Sequence, residues 1–159
     1  MSKKVYISGA IAHYDLEERK AAFSAAAAHL RAQGYEPVNP FENGLPQPGD
    51  WREHMRVDID MLLECQYIYM LKGWWVSKGA KLELDVATSC GLKPMFEEDD
   101  VHNEEHKCCI CGKTFYGYGN KPWPVKEEGE CCETCQWERV LPERYKLYKE
   151  REQVWRQGT

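Results

Sequence analysis

No stretch of this 159-residue chain is apolar for long enough to cross a membrane. The longest such run, around Tyr67–Leu71, is only strand-sized. Positive charge is not in excess either: 21 Lys and Arg stand against 26 Asp and Glu, a formal net charge of −5. Residues 1–100 hold the whole imbalance, with 11 basic against 16 acidic residues, while residues 101–159 carry 10 of each. Binding to a phosphate backbone usually needs a basic surface, so nucleic acid is not a favoured partner. The start of the chain, Met1-Ser2-Lys3-Lys4, lacks the apolar stretch and small-residue cleavage site of a secretory signal. A cytoplasmic protein with no membrane partner is therefore expected. Its eight cysteines then read as thiols or metal ligands rather than disulfides. Internal repeats are lacking, and Ala25–Ala28 is the sole low-complexity tract.

What the sequence does contain is alternation. Lys4–Ser8 reads as an apolar strand stopping at Gly9. Asp15 to Gln33 reads as a helix, with Leu16, Phe23, Ala27 and Leu30 on one stripe and Gly34 as its stop. Tyr35–Val38 is a second strand, ending at Asn39-Pro40, and a Gly- and Pro-rich loop runs to Asp50. Asp50 caps a helix from Trp51 to Glu64, and Gln66–Leu71 is a third strand. After a loop holding Trp74 and Trp75, Ser77 caps a helix ending near Gly91, and Lys93–Phe96 is a fourth strand. Strands separated by helices predict an α/β domain with a parallel sheet over residues 1–100. Cys65 and Cys90 stand beside apolar residues and read as small core residues.

Composition shifts at the acidic run Glu97–Asp100, and six cysteines follow within 28 residues. Cys108 and Cys111 form one C-x-x-C pair; Cys132 and Cys135 form a second. Two residues between thiols let both sulfurs face one point, and two such knuckles make a tetrahedral sulfur site. Gly112 suits the turn after the first knuckle. Thiolate softness selects zinc over magnesium or calcium. Four thiolates leave no open position, so the zinc is expected to be structural. Cys109 and Cys131 are spare thiols able to replace a neighbour, and His106 is a weaker substitute. Residues 101–159 thus read as a zinc module followed by a helix from Leu141 to about Trp155. That helix carries an apolar stripe of Leu141, Tyr145, Tyr148 and Trp155, expected to dock on the α/β domain or on a second subunit.

Two features of the first hundred residues suggest a ligand site. The strand Val5–Ser8 ends in a glycine turn, the kind that lets a ligand approach backbone N–H groups at a sheet edge. Ser77-Lys78-Gly79-Ala80 opens a helix in which Ala80 and Ala87 share a face with Glu83, leaving room beside that carboxylate. Tyr6-Ile7-Ser8-Gly9, Asn39-Pro40, Asp58 and Ser77-Lys78-Gly79-Ala80-x-x-Glu83-x-x-x-Ala87, in this order and spacing, resemble the nucleoside 2-deoxyribosyltransferase-like superfamily. Within it, they are nearest to small, often phage-borne domains of the DUF4406 type.

That resemblance covers residues 4–97 and implies a flavodoxin/Rossmann-like, doubly wound parallel sheet. It implies Glu83 as a nucleophile toward the anomeric carbon, Asp58 as the acid meeting the base, and Tyr6 as the hydroxyl that orients the nucleophile. Ser8, Gly9, Ala10, Asn39, Ser77 and Gly79 would line the substrate. Serine at position 77, where relatives acting on free nucleosides carry aspartate, points to a nucleoside 5′-monophosphate and to hydrolysis: aspartate repels a phosphate, whereas serine donates to it. A homo-oligomer is implied, and a host cytoplasm if the gene is carried by a phage. Two departures stand against this. Gln66 replaces the usual aspartate, and Ala10–His13 lacks an arginine that Arg52, Arg56, His13 or His54 would have to replace. The alternative is a catalytically silent nucleotide sensor whose zinc tail binds protein or nucleic acid through Phe115, Tyr116, Tyr118 and Trp123.

Overall fold

The computed structural model describes residues 3–99 and 101–158. The chain divides into two compact units, Met1–Asp99 and Asp100–Thr159. The first runs β1 (Lys4–Ser8), α1 (Leu16–Ala32), β2 (Glu36–Val38), α2 (Trp51–Leu63), β3 (Tyr67–Met70), α3 (Lys78–Ser89) and β4 (Lys93–Phe96). Its four strands are all parallel, in the order β2-β1-β3-β4. This is the doubly wound arrangement expected, with the strand order reversing between β1 and β3.

Helix starts follow their caps. Asp15 Oδ1 accepts from Glu18 N at 2.8 Å, and Ser77 Oγ accepts from Ala80 N at 3.1 Å. The side-chain period of two then sorts β1 between two faces. Val5 and Ile7, with Tyr69 and Leu71, pack against Phe23, Ala26, Ala27 and Leu30 of α1. Tyr6 and Ser8, one residue out of phase, face α3, whose buried residues are Ala80, Glu83, Leu84 and Ala87. Helix α2 packs beside α3 and buries His54, Asp58 and Leu62, one per turn.

Some local expectations change. Cys65 is buried and donates to Met61 O, but Cys90 is exposed at the end of α3, because the chain turns there before β4. Trp74, in a short 3-10 turn (Trp74–Val76), is buried edge-to-face against Trp75 and tilted against Phe96 of β4, so it is a packing residue. Gln66 Oε1 accepts from Lys4 N, which ties the starts of β1 and β3 together.

The second unit has an antiparallel hairpin, β5 (Glu105–Lys107) and β6 (Thr114–Tyr116). A helical turn α4 (Glu133–Cys135), a π-helical stretch Gln136–Val140 and α5 (Leu141–Gln157) follow. Its interior is small: Cys108, Cys131, Cys132, Cys135 and Val140, with Ile110, Phe115 and Val125 at the margin. Helix α5 has no buried residue; Tyr145, Tyr148 and Trp155 are all exposed. Among the described residues, no helix is long and apolar enough to cross a membrane.

Candidate active site and metal centre

Of the resemblance-implied residues of the first unit, Tyr6, Ser8, Asp58 and Glu83 come together near the end of β1. Glu83, 6% exposed, sits about a turn and a half into α3, and its Oε1 accepts from Ser8 Oγ at 3.3 Å. Its other oxygen, Oε2, is buried without a hydrogen-bond partner, as is the Tyr6 hydroxyl. Burial pushes the Glu83 carboxyl up to about 8; the nearby Tyr6 hydroxyl and Ser8 favour its ionised form, and Asp58 opposes it. Burial first, then the Glu83 and Asp58 carboxyls, hold the Tyr6 phenol protonated well above its ordinary range. Ala80 and Ala87 are fully buried on the Glu83 face, so the small residues close around the carboxyl.

Asp58 lies on the buried side of α2, whereas Asp60 is exposed. Burial raises its carboxyl above the usual range, and a hydrogen bond from Asn43 works against that rise. Asn43 Nδ2 donates to Asp58 Oδ1 at 2.9 Å and reaches His54 Nδ1 at 3.0 Å, while Asn43 Oδ1 accepts from Leu45 N. Neither Asn43 nor this use of His54 was legible in the sequence. The only hint was an asparagine in a Gly- and Pro-rich loop.

The other predicted residues have local roles as well. Ser77 caps α3, and its hydroxyl hydrogen remains available for a ligand. Asn39 Oδ1 accepts from Phe41 N and caps a short 3-10 turn. Gly9 is needed for space: a Cβ there would lie 3.0 Å from Leu71 and 3.2 Å from Arg19 Nη2. Gly79 has no such crowding. Ala10 is buried, and its carbonyl accepts from Arg19 Nε at 2.6 Å. Arg19 carries no local signal of this role, because it lies beyond the loop it braces, on the first turn of α1. His54 turns to Pro46 O, Asn43 and Gln47 rather than to the β1 turn. Arg52 and Arg56 are exposed.

In the second unit, the ligand atoms of Cys108, Cys111, Cys132 and Cys135 all lie within 4.8 Å of one another. Cys111 Sγ and Cys132 Sγ are 3.8 Å apart, the spacing of about 3.8 Å that tetrahedral zinc–sulfur bonds of about 2.3 Å require. Backbone N–H groups of Ile110 and Cys111 point at Cys108 Sγ. Burial opposes ionisation of Cys108, but such donors together outweigh it and bring the thiol down to about 6. Burial and the neighbouring thiols push Cys132 and Cys135 up instead, as expected of packed thiols with no cation among them; four such clustered sulfurs fit a metal such as zinc. Gly112 takes φ 76° after the first knuckle, as expected. Cys131 is buried toward Gln136, and Cys109 lies beside Gly129, so both stand outside the cluster. His106 is engaged with Glu130 at 3.0 Å and stacked on Phe115.

A family model described as a domain of unknown function, DUF4406, matches residues 3–96. No curated protein matches the chain. Among solved structures, a conserved protein from Enterococcus faecalis superposes with a TM-score of 0.50 at 16% identity, over 65% of this chain and 68% of that one. This is a likeness of fold. The CMP N-glycosidase of Clostridium botulinum gives a TM-score of 0.43 at 24% identity, over 59% of this chain and 70% of that one. The 2-deoxyribosyltransferase of Bacillus psychrosaccharolyticus gives 0.49 at 20% identity, over 65% and 83%.

Proposed function

The chain belongs to the DUF4406 family, and from that premise we propose that it breaks the N-glycosidic bond of a nucleoside 5′-monophosphate, with Glu83 as nucleophile. The observation that carries this reading is the Glu83 carboxyl itself. It is buried against Ser8 and Tyr6 at the carboxyl end of β1, beside the switch point where doubly wound folds place ligands. A carboxyl kept from water at a sheet edge, with small residues around it, suits attack on a sugar carbon.

In this mechanism an ionised Glu83 oxygen attacks C1′ of the sugar. The bond from C1′ to the base nitrogen breaks with its electron pair leaving on the base. Asp58, whose raised pKa favours the protonated form, gives the base its proton. A water then attacks C1′ and its proton returns to Asp58; the Glu83 ester opens and the carboxylate is regenerated. Positive charge developing on the sugar favours ionised Glu83, which offsets the burial that holds its proton in the free protein. The Ser77 hydroxyl supplies a donor for the phosphate. A second nucleobase in place of water would make the same chain a transferase.

The zinc module has a folding role in this reading. Cys108, Cys111, Cys132 and Cys135 hold the ion, which contributes the stability that so small an interior lacks.

The test is product chromatography. The protein is incubated with the common ribo- and deoxyribonucleoside 5′-monophosphates and the matching nucleosides, alongside a Glu83→Ala control. One free base released by the protein and absent from the control supports the reading. Activity that survives in Glu83→Ala removes Glu83 as nucleophile.

A further inference from the structure

Between β2 and α2 the chain passes through residues 43–50, and one amide fastens this loop to the helix. Asn43 donates one hydrogen to Asp58 Oδ1 at 2.9 Å and its other to His54 Nδ1 at 3.0 Å, while its oxygen accepts from Leu45 N at 2.9 Å. Every face of the amide is used. Rotating it by half a turn would set its oxygen against both the Asp58 carboxyl and the His54 lone pair, and would place NH2 against Leu45 N–H.

His54 completes the arrangement. Its Nε2 meets Pro46 O, which only accepts, so Nε2 carries the hydrogen. Its Nδ1 lies 3.0 Å from the Asn43 amide and 3.4 Å from that of Gln47. Both His54 and Asp58 are buried on consecutive turns of α2. We infer that Asn43 is a positioning residue: its amide, held in register by Leu45 N and the His54 ring, fixes the Asp58 carboxyl in place and favours its ionised form. The inference rests on the proposed function only where it makes Asp58 a proton donor.

The chemical consequence is a defined proton affinity at Asp58. The acid must hold a proton for the leaving base and later take one back from water. Burial favours the protonated state and the Asn43 N–H favours the ionised one. Asp58 also faces Tyr6 on β1, Glu83 on α3 and His54 on its own helix, so its titration reports the site as a whole.

The experiment separates positioning from loop bracing. Asn43→Ser keeps an oxygen able to accept from Leu45 N, as in a serine turn, but withdraws both donors. Should that variant not fold, Asn43→Thr keeps the turn acceptor, adds no charge beside Asp58 and gives the same readout. The carboxyl carbon of Asp58 is followed by NMR over pH in the full chain with zinc, and assigned with Asp58→Asn. The expected result is a titration midpoint above that of the unmodified protein. On whichever nucleotide is turned over, kcat should fall about tenfold or more while KM stays within about threefold. A raised midpoint in a protein that turns over no nucleotide supports the positioning role and sinks only the glycosidic reading. A midpoint that does not move overturns the inference, whatever happens to activity.

Discussion

The Ser8 hydroxyl at the end of β1 donates to Glu83 Oε1 on α3 at 3.3 Å, across 75 residues of sequence. The pair meets because two local periodicities coincide. Alternation along β1 turns Ser8 and Tyr6 away from α1. The Ser77 cap fixes the start of α3, and a turn and a half later the helix presents Glu83 to the same face.

Glu83 makes folding stability depend on pH in a particular direction. Its carboxyl ionises near 4.5 in the unfolded chain and near 8 in the folded one. Its contribution is complete below about 4.5 and is lost as pH rises through 8. Glu83→Gln removes that loss. It should stabilise the protein at pH 8 by about 2–4 kcal/mol and far less at pH 5, measured by urea unfolding. Equal effects at both pH values would show that the carboxyl is not held protonated.

Turnover has the opposite dependence. Attack needs the ionised carboxylate, so on an analogue whose leaving group needs no proton from Asp58, kcat/KM should fall about tenfold per pH unit below about 8 in the free enzyme. Tyr6→Phe removes a hydroxyl that favours the ionised form and should move this limb to higher pH. A profile flat between pH 6 and 8 would exclude Glu83 ionisation as the controlling event.

Ser77→Asp is an informative specificity variant because both residues cap a helix. The fold should survive, since the acceptor for Ala80 N is retained. Turnover of a monophosphate should drop about a hundredfold relative to the free nucleoside, through charge repulsion. An unchanged ratio between the two substrates would place the phosphate elsewhere.

Zinc analysis separates the four ligands from the two spare thiols. The purified chain should hold one metal ion, and Cys111→Ser or Cys132→Ser should lower that content by about tenfold or more. Cys109→Ser should leave it unchanged, because Cys109 lies outside the cluster. Metal content near one in Cys132→Ser would mean that Cys131 takes its place.

The order of elements was legible because its signals are local. The apolar run in Lys4–Ser8, caps at Asp15 and Ser77 and two C-x-x-C pairs each lie within one turn or strand. The face shared by Ala80, Glu83 and Ala87 was likewise readable from helical spacing. Cys90 misled because apolar neighbours in sequence do not say which way a helix end turns. Arg19 and Asn43 escaped because each acts on a partner in another segment, Ala10 in one case and Asp58 in the other.

The amino-acid sequence by itself thus determined the parallel α/β unit, the four-thiol cluster and a short set of polar residues able to do chemistry. Local geometry is encoded within a few residues and needs no distant partner. Only the tertiary structure decided which of those residues are cut off from water, and with whom. Burial raises Glu83 to about 8, and the Asn43 amide meets Asp58 from a loop fifteen residues away. Desolvation and hydrogen-bond partnership belong to the packed chain, because both depend on what the other elements bring within a few ångströms.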